Sequence, residues 1–117
     1  MDKGQPPHSL GTPAFHRWER ATPLTEEEAE ARLHQEGYSS FRWYDVPGTL
    51  YPRHWHESDE VIWVLSGEIH FTVGNETFTL QKGDRLDLPA KTPHIAKVPD
   101  SGGVTYIVGK KGVEVSP

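Results

Sequence analysis

The 117-residue chain has no cysteine and a single methionine. The missing thiols exclude disulfides, thiolate metal sites, iron–sulfur clusters and cysteine nucleophiles together. Positive charge is also scarce: 12 Lys and Arg stand against 17 Asp and Glu, a formal charge of −5. That balance lacks the basic footprint that nucleic acid or an anionic membrane surface attracts, so neither is expected as a partner. No apolar run has the length of a bilayer span, and the first 25 residues hold no signal-type apolar core. A soluble, cytoplasmic protein is therefore expected. Internal repeats and low-complexity tracts are lacking too. A chain this short buries roughly two thirds of its unfolded surface, which supports one core and not two.

Three regions can be read from what is present. Residues 1–23 carry Pro6, Pro7, Pro13 and Pro23 with little apolar periodicity, the composition of an irregular arm, which Phe15 and Trp18 could pin to the body or to a second subunit. Thr25 with Glu28 three residues later reads as a capping box, and Glu26, Glu27 and Glu28 suit the positive end of a helix dipole. The helix is predicted to run to about Glu36 and to stop at Gly37. From Ser39 the period changes to two, with short strands predicted over 41–46, 60–65, 69–73, 77–80, 85–88, 94–98 and 104–108. Gly74-Asn75 is a two-residue hairpin signal. So many short strands at near-regular spacing predict an all-β sandwich or barrel. The expected organisation is an arm and short helix over 1–38, a barrel over 39–113 and a tail over 114–117.

Seven histidines matter here through their placement. His54 and His56 lie two apart, so on a strand both imidazoles face one way and Trp55 the other. Glu60 follows four residues later, a step of about 13 Å in extended chain, so Glu57-Ser58-Asp59 must turn if all three are to share one ion. Should a curled sheet bring His94 opposite, three imidazoles and one carboxylate converge. That donor set suits iron, manganese, cobalt, nickel, copper or zinc, and not calcium or magnesium. An octahedral ion held by four protein ligands keeps two positions for water or substrate, the opening a catalytic metal needs.

These residues resemble the motifs of a small single-domain cupin. The family's first motif is glycine, five residues, His-x-His, three or four residues, glutamate, six residues, glycine; Gly48, His54, His56, Glu60 and Gly67 fit every spacing. Gly83, Pro89 and His94 match the second motif, whereas Lys91 stands where a glycine is usual and Val98 where an asparagine is. The resemblance covers roughly residues 40–109 and implies a double-stranded β-helix, or jelly-roll barrel. It also implies one divalent transition metal on His54, His56, Glu60 and His94.

Other residues have plainer readings. His8, His16 and His34 are expected to face solvent or pack, and His70 to point away from the core made by Ile69, Phe71 and Val73. Asp84, Glu57 and Asp59 read as turn residues. Trp43, Tyr44, Phe71 and Tyr106 are expected in the core or at an interface. Strand parity puts Ile62, Val64, Ala96 and Val98 around the metal as a small apolar pocket. The same parity turns Val61, Trp63 and Leu65 outward as an apolar patch, the basis for expecting a homodimer. Three functions fit such a chain. One is a metal-dependent dioxygenase of the Fe(II) type, acting on a small enolisable or partly apolar substrate with Glu60 detaching to serve as base. Another is a non-catalytic metal or small-ligand sensing module, and a third is a sugar isomerase or epimerase. The chain carries no helix-turn-helix of its own for a regulator's role.

Overall fold

The structure, a computed structural model, describes residues 11–111. Its elements run β1 (Ala14–His16), α1 (Glu26–Gln35), β2 (Tyr38–Asp45), β3 (Leu50–His54), β4 (Glu60–Ser66), β5 (Ile69–Val73), β6 (Glu76–Leu80), β7 (Arg85–Leu88), β8 (His94–Lys97) and β9 (Val104–Lys111). They form two antiparallel sheets, one of five strands in the order β1-β7-β4-β9-β2 and one of four in the order β3-β8-β5-β6. Alternation explains what each face meets. Ile62, Val64, Tyr106 and Val108 from the larger sheet meet Ile69, Phe71, Ala96 and Val98 from the smaller one in a core between the two. No helix among the described residues is long and apolar enough to cross a membrane.

The outer face of the five-stranded sheet corrects the expected apolar patch. Val61 and Trp63 are buried there beneath Leu24, Ala29 and Leu33, with Trp18 and Leu65 packed alongside, so this surface is the floor of a second core. The reason is that α1 offers few apolar side chains and needs a flat hydrophobic face to lie on. Its start is as expected: the Glu28 N–H donates to Thr25 Oγ1 at 3.1 Å. The Glu28 carboxylate does not close the box, however; it pairs with Arg20 at 2.7 Å and Arg32 at 3.7 Å. Gly37 ends the helix in the left-handed region, at φ 91°.

Two strands depart from the expected pattern. The arm is irregular only in part, because β1 pairs with β7 and lends the sheet an edge. Phe15 stacks on Phe78 at 6.2 Å and Trp18 meets Trp63 edge-on at 6.4 Å, so the arm is pinned to its own body. His8 and the 114–117 tail lie outside the described residues. The strand β3 arises where none was predicted and carries Pro52, tolerated because β3 is an edge.

Candidate metal centre

The centre is assembled where β3 and β8 run side by side. His54 closes β3 and lies directly opposite His94, the first residue of β8. His56 stands beyond the strand's end, so the expected two-residue alternation holds only for its first member. A turn brings it back. The Lys91 N–H donates to the His56 carbonyl at 2.7 Å, and the Ala90 N–H donates to Asp59 Oδ1 at 2.8 Å. These two bonds tie the 57–59 turn to the segment before His94, and Asp59 acts as the turn residue expected of it.

The three rings then converge, with centroids 4.4 Å apart for His54 and His94, 4.9 Å for His54 and His56, and 5.5 Å for His56 and His94. One nitrogen from each lies within 4.8 Å of the other two, a group that could hold a metal ion. Second contacts orient two of the rings: His54 Nδ1 lies 2.7 Å from the Pro52 carbonyl and His94 Nδ1 2.9 Å from that of Thr92. A ring that donates from Nδ1 to a carbonyl offers its Nε2 lone pair to a metal. Burial pushes the His56 and His94 imidazoles below the usual histidine range, against the pull of Glu60 on His56. Neutral imidazoles are the form that ligates, so the donors fit a borderline divalent ion.

Glu60 is brought beside this group. Its Oε1 is 3.6 Å from His56 Nε2, and its Oε2 is 3.1 Å from Lys110 Nζ. The mutually close nitrogens are those of the three histidines, with the buried carboxylate facing them from the other sheet.

A cavity of about 200 Å³ opens over the centre. The five-stranded sheet lines it in rows that follow the strand register. Glu60 sits opposite Lys110; next come Ile62, Val108 and Phe41; then Tyr106 and Trp43, whose row continues into the core at Val64. Ile62 and Ala96 line the cavity as parity predicted, while Val64 and Val98 lie deeper, fully buried in the core. Trp43, Phe71 and Tyr106, expected to be core or interface residues, are cavity wall as well. His70 turns away and pairs with Glu68, Asp84 caps its turn by accepting from the Gln81 N–H at 3.0 Å, and His16 and His34 are exposed.

Asp45 and Lys110 were not foreseen. Asp45 is buried and accepts from the Tyr106 hydroxyl at 2.6 Å, from Trp43 Nε1 at 2.9 Å, and from the Tyr51 hydroxyl. Burial, reinforced by this carboxylate, raises both phenols above the usual tyrosine range and keeps them protonated. The signal was present in each case: Phe41, Trp43 and Asp45 share one parity, as do Val104, Tyr106, Val108 and Lys110. Ending the last strand at Val108 left Lys110 off the inner face.

The family model for the cupin domain matches residues 41–115. The chain belongs to the cupin family. This cupin is 39% identical over 56 residues to the uncharacterized protein MJ1618 of Methanocaldococcus jannaschii, covering 48% of this chain and 42% of that one. It is 28% identical over 75 residues to the dimethylsulfoniopropionate lyase DddQ of Ruegeria pomeroyi, covering 63% of this chain and 37% of the lyase. The crystal structure of that lyase superposes with a TM-score of 0.61 at 26% identity, over 69% of this chain and 41% of the other. The polyketide cyclase RemF of Streptomyces resistomycificus shares the fold, with a TM-score of 0.59 at 18% identity over 68% of this chain and 57% of the cyclase. The cupin thus spans less than half the length of the curated relatives it matches.

Proposed function

We propose that this cupin is a metal-dependent enzyme that takes a proton from a small, partly apolar substrate, with His54, His56, His94 and Glu60 holding the metal and Glu60 also serving as base. The observation that carries this reading is the pairing of three convergent imidazoles with a buried carboxylate 3.6 Å from one of them, at the floor of a cavity. A divalent transition metal in that nest would act as a Lewis acid toward a substrate carbonyl and make the neighbouring C–H more acidic. The protein's own part is to position and to exclude water. Ile62, Phe71, Ala96 and Val108 give the cavity an apolar wall. The N–H and O–H donors of Trp43, Tyr51 and Tyr106 are directed at Asp45. A wall whose donors are engaged in this way suits a sugar poorly, so the isomerase reading falls behind.

An elimination completes the chemistry without a further reactant. Glu60 takes the proton beside the carbonyl, the C–H electron pair becomes a carbon–carbon double bond, and a leaving group departs from the next carbon with its own pair. The lyase among the relatives supports this class. A second reading, the Fe(II)-type dioxygenase, begins with the same proton transfer and then consumes dioxygen; the apolar wall favours it.

The test is reaction under controlled oxygen. Protein loaded with iron, manganese or zinc is offered β-substituted carbonyl compounds and enolisable diketones, with alkene formation and oxygen uptake measured together. Turnover should fall by about 100-fold or more in Glu60→Gln while the metal stays bound, the range of a lost general base. Unchanged turnover in Glu60→Gln, or wild-type metal uptake no greater than in His54→Ala, would overturn the reading. A sensing module would retain metal and turn over neither class.

A further inference from the structure

Lys110 stands on β9 directly opposite Glu60. It projects onto the inner face of β9 next to the apolar row of Ile62, Val108 and Phe41, where desolvating an ammonium is costly. It is the one Lys or Arg among the residues lining the cavity. Its single ion pair among the described residues, with Glu60 at 3.1 Å, engages one of three N–H donors. Its side chain is 30% exposed toward the opening, against 8% for Glu60. The Lys110 ammonium and the Glu60 carboxylate offset one another. An added divalent ion would therefore leave the cavity positive, within walls of low polarity that strengthen any charge interaction.

We infer that Lys110 selects the substrate: the cavity takes a small organic acid whose carboxylate pairs with the Lys110 ammonium while its apolar part lies along Phe41, Ile62 and Val108. This rests on the metal-enzyme reading above and narrows its substrate to anions. The arrangement follows the register, because the carboxylate would enter at the Glu60–Lys110 row and leave its neighbouring carbon beside the Glu60 oxygens. Lys110 acts here as a specificity residue, and Glu60 remains the base.

The experiment uses the cobalt(II)-loaded full chain, read by its visible spectrum and by calorimetry, with butyrate and its neutral isostere butyramide as probes. Cobalt uptake is measured before either probe is added; a wild-type chain that takes up none overturns the metal reading and this inference together. Given uptake, butyrate should bind at least tenfold more tightly than butyramide. In Lys110→Met the acid should lose that advantage while cobalt uptake and amide binding stay unchanged, and Lys110→Arg should keep it. Equal binding of acid and amide by the wild type, or full acid preference in Lys110→Met, would overturn the assignment of Lys110 and leave the metal reading standing. Loss of preference in Lys110→Arg as well would overturn a charge-based selection.

Discussion

Lys91 shows how a departure from a family motif can be accommodated. Its backbone sits at φ 64°, in the left-handed region that a glycine would occupy freely, and its N–H clamps the His56 carbonyl. The turn is therefore kept and the lysine bears the strain. Lys91→Gly should raise stability by about 0.5–1 kcal/mol in urea unfolding, with metal uptake unchanged, since relief of left-handed strain outweighs the added freedom of the unfolded chain. A loss of stability would mean that the lysine side chain packs in a way that offsets its strain. Gly67 has no such latitude: at φ 85°, an added Cβ would lie 2.2 Å from the Gly103 carbonyl oxygen. The convergence of His54, His56 and His94, with Glu60 beside them, was legible in the sequence because their spacing matches a known motif. Asp45 and Lys110 were missed although parity put them on the inner face, because a charged side chain at a strand end reads by default as a solvated one.

Strands β4 to β9 were legible through alternation and turn residues, within a residue or two at most ends. The two missed strands, β1 and β3, are the ones with weak local signal: three residues after a proline, and an edge segment carrying Pro52 with an irregular register before His54. The helix was legible from its caps, but not the surface it covers, since Val61 and Trp63 look alike whether a helix or a second subunit buries them. What fastens that helix is more specific than apolar contact. At its C-terminal end Glu36 receives a forked pair of hydrogen bonds from Arg85 on β7, at 2.6 and 3.2 Å. The Arg85 guanidinium holds the Glu36 carboxyl below its ordinary value of 4.5. A carboxyl lowered in the folded state adds stability above the unfolded value and loses it as the pH falls through the folded one. Glu36→Gln should therefore be less stable than wild type at neutral pH. The gap should close as the pH falls from about 4.5 through the lowered folded-state value, followed by urea unfolding across the acid range. Parallel curves would show that the pair contributes nothing to folding.

Taken whole, the barrel sets its candidate centre at one end of the core, where the His94 ring lies 5.9 Å from that of Phe71. Two hydrophobic clusters built from aliphatic and aromatic side chains fill the barrel and underlie its helix, so the fold is expected to form without an ion. His94→Ala should abolish metal uptake yet leave a cooperatively unfolding β-protein by circular dichroism. Saturating metal should raise the melting temperature of wild type and not of the variant. Collapse of the variant would make the ion structural. The three clustered histidines come from the smaller sheet and its connections, whereas the rows Glu60–Lys110, Ile62–Val108–Phe41 and Val64–Tyr106–Trp43 come from the larger one. Such a barrel behaves as a chassis with exchangeable fittings. Lineages that inherit the histidine nest intact can diversify what they process by trading one cross-strand row at a time, and an engineer can do the same.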